Sequence, residues 1–174
     1  AWLLCGVEGT GKATFAYRMA RAILRHGLSA ERGRVSDRAV SQLAHPDLIV
    51  IRRGLDKKSE QVRAAIRVED VREAMRQISS TASAGGWRVV IVDTADDFNE
   101  ACANALLKSI EEPPPMVAFL ILSHQPGLVK TTIRSRCRRL MLAPLDEADV
   151  ASAVTTLMPQ AGSAIPCALQ RRCR

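Results

Sequence analysis

Gly6-Val7-Glu8-Gly9-Thr10-Gly11-Lys12 satisfies the pattern G-x-x-x-x-G-K, and its flanks decide the fold. Before it, Ala1-Trp2-Leu3-Leu4-Cys5 is an apolar run of buried-strand character. After it, Lys12–His26 has helical periodicity. Phe15 or Ala16, Met19, Ile23 and Leu24 share one face, and Arg18, Arg21 and Arg25 lie largely off it. Strand, glycine loop and helix are the context in which this motif cradles a phosphate. Glycines let backbone N–H groups turn inward, the helix N-terminus adds positive potential, and Lys12 supplies a mobile cation. The competing reading is a tight strand-to-helix turn with no ligand.

The loop descends from a phosphate site, but its equipment is incomplete. After Lys12 stands Ala13, where a working loop places the Ser or Thr that holds Mg²⁺. Thr14 carries a hydroxyl, yet one position further on is about 100° round the helix axis, so it does not replace the missing ligand. Glu8 puts a carboxylate into a loop built for anions. Gly6, Gly9, Gly11, Lys12 and Thr14 are therefore a degenerate nucleotide site, with ATP and Mg²⁺ binding expected to be weak or absent and no cofactor of the chain's own.

Further along, Arg88-Val89-Val90-Ile91-Val92-Asp93 is a hydrophobic strand closed by an acid. In phosphate-loop proteins such an Asp serves Mg²⁺, and motor ATPases put Glu beside it to activate water. Here Thr94 follows; Asp96 and Asp97 lie past the strand tip. Asp93 as a mere turn cap is the alternative. A positioned base is worth roughly 10²–10⁴ in rate. Loss of both the Ser/Thr and the Glu predicts negligible intrinsic hydrolysis.

Other apolar runs, Asp47–Ile51, Trp87–Val92, Met116–Leu122 and Arg138–Leu142, read as strands. Val68–Ser79 and Asn99–Glu112 read as helices, the second stopped by Pro113-Pro114-Pro115. Alternating strands and helices imply an α/β fold, with a mostly parallel sheet covered on both faces. Residues 1–143 form that domain. Residues 28–46 read as an irregular insertion, 144–160 as the start of a helical lid with a helix opening over Asp146–Met158, and 161–174 as an irregular tail. Ala1 is not Met and already reads as strand, so a short stretch is expected to precede it.

Composition narrows the classes. The chain has 174 residues, 47% hydrophobic and 25% charged, which fits a globular protein and excludes a disordered one. Aromatic content of 3% argues against a base-stacking nucleic-acid platform. A net charge of +7 permits salt-sensitive attraction to a polyanion without defining a DNA site. Five scattered cysteines (Cys5, Cys102, Cys137, Cys167, Cys173) with no C-x-x-C pair argue against a disulfide framework and fit a reducing cytoplasm. No apolar run is long enough to span a bilayer.

Two further motifs complete the reading. Thr131-Thr132-Ile133-Arg134-Ser135-Arg136-Cys137 follows a strand and a Pro126-Gly127 turn. Its Ser135-Arg136-Cys137 resembles the Ser-Arg-Cys motif of the bacterial clamp-loader AAA+ family. Asn104-Ala105-Leu106-Leu107-Lys108-Ser109-Ile110-Glu111-Glu112-Pro113-Pro114 resembles that family's N-A-L-L-K-x-x-E-E-P-P signature, and Ile66–Arg72 is similar to the segment that opens its first sheet-covering helix. With the glycine loop these motifs span roughly residues 1–158.

The resemblance implies a P-loop NTPase three-layer sandwich and a hetero-oligomeric subunit of the DNA polymerase III holoenzyme. Its partners would be the gamma/tau and delta subunits and, indirectly, the sliding clamp and primer-template DNA. The missing oxygens point to a non-hydrolysing subunit; a gamma/tau-type motor that tolerates Ala13 and Thr94 is the alternative. A nucleotide kinase and a functionless truncated product are remoter readings. By the resemblance, Arg136 acts in trans on ATP held by a neighbour, and Ser123 stands where the family senses a γ-phosphate. A structural ion pair or a solvated charge is the competing reading of Arg136. Many members carry a four-cysteine zinc module between the first helix and second strand; Leu28–Pro46 has no Cys, and His45 alone cannot hold zinc.

Overall fold

The computed structural model describes residues 1–26, 28, 30–55, 61–79, 86–150 and 152. These divide into two units, Ala1–Leu142 and Ala143–Arg174.

The first unit is built on five strands: β1 (Trp2–Cys5), β2 (Leu48–Arg52), β3 (Arg88–Asp93), β4 (Val117–Ser123) and β5 (Arg138–Met141). They form one sheet in the order β2-β3-β4-β1-β5, and every neighbouring pair is parallel. The runs are apolar almost end to end because both faces are covered. On one face lie Leu3, Cys5, Ile49, Ile51, Val90, Val92, Phe119 and Ile121; on the other lie Leu4, Leu48, Val89, Ile91, Leu120 and Leu122. This is the two-residue alternation of a pleated strand.

Helices α3 (Val68–Ser79) and α4 (Glu100–Glu111) cover the first face with Val71, Ala74, Ile78, Cys102, Leu106 and Ile110. The short helix α5 (Thr131–Arg134) adds Ile133. Helix α1 (Lys12–Arg25) covers the second face with Ala16, Ala20 and Leu24. Glu69 and Asp70 occupy the first turn of α3, where the helix dipole favours acid. Asn99 caps α4, its side-chain oxygen accepting from Cys102 N at 2.8 Å.

Residues 28–46 depart from expectation. The irregular insertion contains helix α2 (Ala30–Ser41). Val40 packs with Ala16, Ala20 and Leu24, and Ser36 is buried as well. Arg21 donates to Ser41 Oγ at 2.7 Å, and Arg25 pairs with Asp37 Oδ2 at 3.1 Å. The sequence hides this helix because its own apolar stripe is narrow; α1 supplies much of what it packs on. Arg21 and Arg25, which lie off the apolar face of α1, are thus the polar link between the two helices. His26 is the C-cap of α1, and Gly27, the residue after the helical run, lies outside the described residues.

A buried ion pair ties the N-terminal end of the sheet. Arg88 reaches Asp47 Oδ1 at 3.4 Å and donates to the Gln77 carbonyl at 2.8 Å, so β3, the entrance of β2 and the end of α3 meet at one guanidinium.

The second unit is described over residues 143–150 and 152. A helical turn opens at 147–150, with Asp146 Oδ1 accepting from Asp149 N at 2.8 Å. The continuation to Met158 and the expected tail, 161–174, lie outside the described residues.

Candidate functional site

In a parallel sheet all strands end on the same edge, and ligands of such folds bind there. Register places Cys5 beside Ser123 and Val92 beside Ile121. β4 therefore stands between the strand that feeds the glycine loop and the strand that ends at Asp93. The expected nucleotide-site residues Gly6, Gly9, Gly11, Lys12, Asp93 and Ser123 come from this one edge.

The glycine loop has the backbone its sequence calls for. Gly9 and Gly11 have φ of 86° and 78°, where a side chain is strained. At Gly6 the constraint is room: a Cβ would sit 2.5 Å from the Leu142 carbonyl oxygen. Lys12 departs from expectation. It is a buried residue, 3% exposed, and its Nζ donates to the Val7 carbonyl at 2.7 Å and contacts Thr10 Oγ1 at 3.4 Å. The cation is turned back onto its own loop. Ala13 packs against the core, Thr14 is exposed, and Glu8 points into solvent. In this arrangement the lysine is engaged by a carbonyl, and the position after it carries no hydroxyl that could serve Mg²⁺.

Beyond the strand ends lies an open cleft of about 700 Å³ whose lining includes Glu8, Arg53, Asp93, Asp96, Asp97 and His124. Arg53 pairs with Asp97 across it at 3.3 Å. Ser123 is fully buried and donates to Asp96 Oδ1 at 2.7 Å, while the other Asp96 oxygen accepts from the His124 backbone N–H. The expected phosphate sensor is thus occupied by a carboxylate that sequence reasoning set aside. Thr94, where a motor carries its base, is itself buried. Tyr17 of α1 feels this edge: burial, then the charge of Asp93, pushes its phenol up, with Arg52 opposing. Burial likewise pushes up the thiol of Cys5, with Asp96 adding to the rise and Arg139 and Lys12 opposing it.

Arg136 lies elsewhere, just past α5, and its side chain is 40% exposed. Its Nη1 donates to the Thr132 carbonyl at 3.0 Å and to Ser135 Oγ at 3.3 Å. Its Nε pairs with Glu111 Oε1 at 2.5 Å. Among the described residues nothing accepts from Nη2. The ion pair of the competing reading is thus present, although exposed pairs of this kind contribute at most about 1 kcal/mol. Arg134 turns back instead, donating to the Pro126 carbonyl at 3.3 Å. Glu111 is a contact the sequence does not announce; 25 positions separate it from Arg136, and only the packing of α4 against α5 brings them together. Cys137 is partly buried against the core, which pushes its thiol up. Among the described residues, no group of three or more His, Cys, Asp or Glu is gathered as metal ligands would be, and no helix is long and apolar enough to cross a membrane.

Comparison with known proteins adds to this geometry. The sequence model of a family described as "DNA polymerase III, delta subunit" matches residues 1–146. DNA polymerase III subunit delta' of Pseudomonas aeruginosa is 37% identical over 140 residues, covering 79% of this chain and 41% of that protein. DNA polymerase III subunit tau/gamma of Haemophilus influenzae is 30% identical over 163 residues, covering 92% of this chain and 22% of that one. The crystal structure of a DNA polymerase III gamma subunit-related protein from Thermotoga maritima superimposes with a TM-score of 0.63 at 17% identity, over 89% of this chain and 44% of the other; that likeness concerns the fold. The chain spans less than half the length of these relatives.

Proposed function

The chain belongs to the DNA polymerase III delta subunit family, in its delta'-like branch, and from that premise we propose that it is a non-hydrolysing subunit of a bacterial clamp loader. In this role it assembles with gamma/tau and delta subunits in the cytoplasm, helps load the sliding clamp onto primer-template DNA, and presents Arg136 to ATP bound by a neighbouring motor subunit.

One observation carries the reading: the cation of the chain's own pocket is turned inward, whereas Arg136 is partly exposed and its Nη2 has no acceptor among the described residues. Three further features support it. Ala13 has no oxygen for Mg²⁺, no base follows Asp93, and the Ser123 hydroxyl is held by Asp96. A guanidinium forks onto phosphate oxygens and keeps its charge at every physiological pH. Supplied in trans, such a finger is worth about 10³–10⁵ in turnover.

The test uses the full-length subunit in a reconstituted complex. Arg136→Ala is expected to leave assembly intact and to slow ATP turnover at least tenfold; turnover at the parental rate overturns the finger assignment. Alone with MgATP, the chain is expected to show no turnover and no thermal stabilisation. A ligand at a hundredfold its Kd stabilises by about 2.7 kcal/mol, so occupancy of the pocket is readily seen. The second reading, a gamma/tau-type motor, is favoured by the 30% identity to the tau/gamma relative, and robust turnover by the isolated chain selects it.

A further inference from the structure

We infer that Glu111 is the positioning residue for Arg136: its carboxylate pairs with the guanidinium at Nε, beside α5, and Nη2, which has no acceptor among the described residues, is left to meet phosphate. The inference rests on the finger reading above and adds to it a residue with a defined task.

The placement of Glu111 is the first argument. It is the last residue of α4, followed by Glu112 and then proline. The helix macrodipole disfavours carboxylates at this end, and two in succession repel each other. Helix stability therefore gives no account of Glu111, whereas its contact with Arg136 does. Attachment is the second argument. Glu111 takes Nε, while the Thr132 carbonyl and Ser135 Oγ take Nη1. Two hydrogen bonds and an ion pair together restrain a side chain whose ordering costs about 2 kcal/mol of rotamer freedom. The third argument is rigidity beneath the pair. Ile110, one residue before Glu111, and Ile133, three before Arg136, are buried in the same core cluster. Glu111 ends one packed helix and Arg136 lies in the turn directly after another, so both are tethered close to the core.

Because the pair is exposed, its removal leaves the fold standing. Glu111→Gln keeps shape and takes away charge. In the reconstituted complex it is expected to lower kcat for ATP about threefold, the part of the rotamer freedom that one anchor of three suppresses, with KM unchanged. Glu111→Asp is expected to recover part of the loss. In an Arg136→Ala background Glu111→Gln is expected to change nothing further. Parental or raised turnover in Glu111→Gln, a change confined to KM, or a loss that multiplies with that of Arg136→Ala overturns the positioning role while leaving the finger reading in place. If Arg136→Ala alone is without effect, the finger reading falls and this inference with it.

Discussion

Ser123, the last residue of β4, donates its hydroxyl to Asp96, which lies in the 3₁₀ turn after β3, at 2.7 Å and across 27 positions of sequence. The same carboxylate accepts the His124 backbone N–H. One side chain thus fastens the ends of two adjacent strands at the C-terminal edge of the sheet. The Ser123 hydroxyl is thereby committed to the scaffold.

Asp96→Ala removes both acceptors and leaves a buried hydroxyl and a backbone donor without a partner. Hydrogen bonds to a charged group contribute about 1.5–3 kcal/mol, so the variant is expected to be roughly 2–3 kcal/mol less stable in urea unfolding, with the slope unchanged. Stability equal to the parent's would show that water replaces the carboxylate without loss.

Arg88 and Asp47 are 5% and 1% exposed. Breaking a buried pair by removing one partner costs about 3–5 kcal/mol, because the other charge is stranded, whereas apolar replacement of both is often neutral. Arg88→Met is therefore expected to destabilise severely, and Arg88→Met with Asp47→Leu to recover most of the loss. A double variant no better than the single one would show that the Gln77 carbonyl, and not the charge pair, is what Arg88 serves.

His45 gives a pH dependence with a defined sign. Burial holds its imidazole below the ordinary value of 6.5, opposed by the nearby Asp47 charge. Its Nδ1 accepts from Asp47 N at 3.1 Å, which the protonated ring cannot do. The folded pKa is the lower one, so this contribution is fully present above pH 6.5 and is lost as pH falls through the folded value. Urea midpoints measured from pH 8 to pH 5 are expected to fall in the parent more steeply than in His45→Gln. Parallel curves would remove His45 from the account.

Much of this architecture is legible in the chain because it is written in local patterns. The runs at Leu48–Ile51, Val89–Val92 and Phe119–Leu122 are apolar at successive positions, so strands buried on both faces follow. Val68–Ser79 shows its helix through three-and-four spacing and acids in the first turn. Helix α2 escaped because the signal that makes it helical, Val40 against Ala16, Ala20 and Leu24, lies in the partner helix. The nucleotide site divides the same way: Ala13 and Thr94 are losses visible in the letters, whereas the inward turn of Lys12 is not.

The sequence by itself determined the phosphate-loop ancestry, the sandwich and the missing Mg²⁺ hydroxyl and base, because each is a matter of residue type at a fixed spacing along one strand, loop or helix. Only the tertiary structure decided which charges are engaged. Lys12 on the Val7 carbonyl, Ser123 on Asp96 and Arg136 on Glu111 depend on where the chain carries a side chain's tip. A cation five residues from a carbonyl, or 25 from a carboxylate, has many possible partners in the extended chain. Packing of α4 against α5, and of β4 between β1 and β3, selects one.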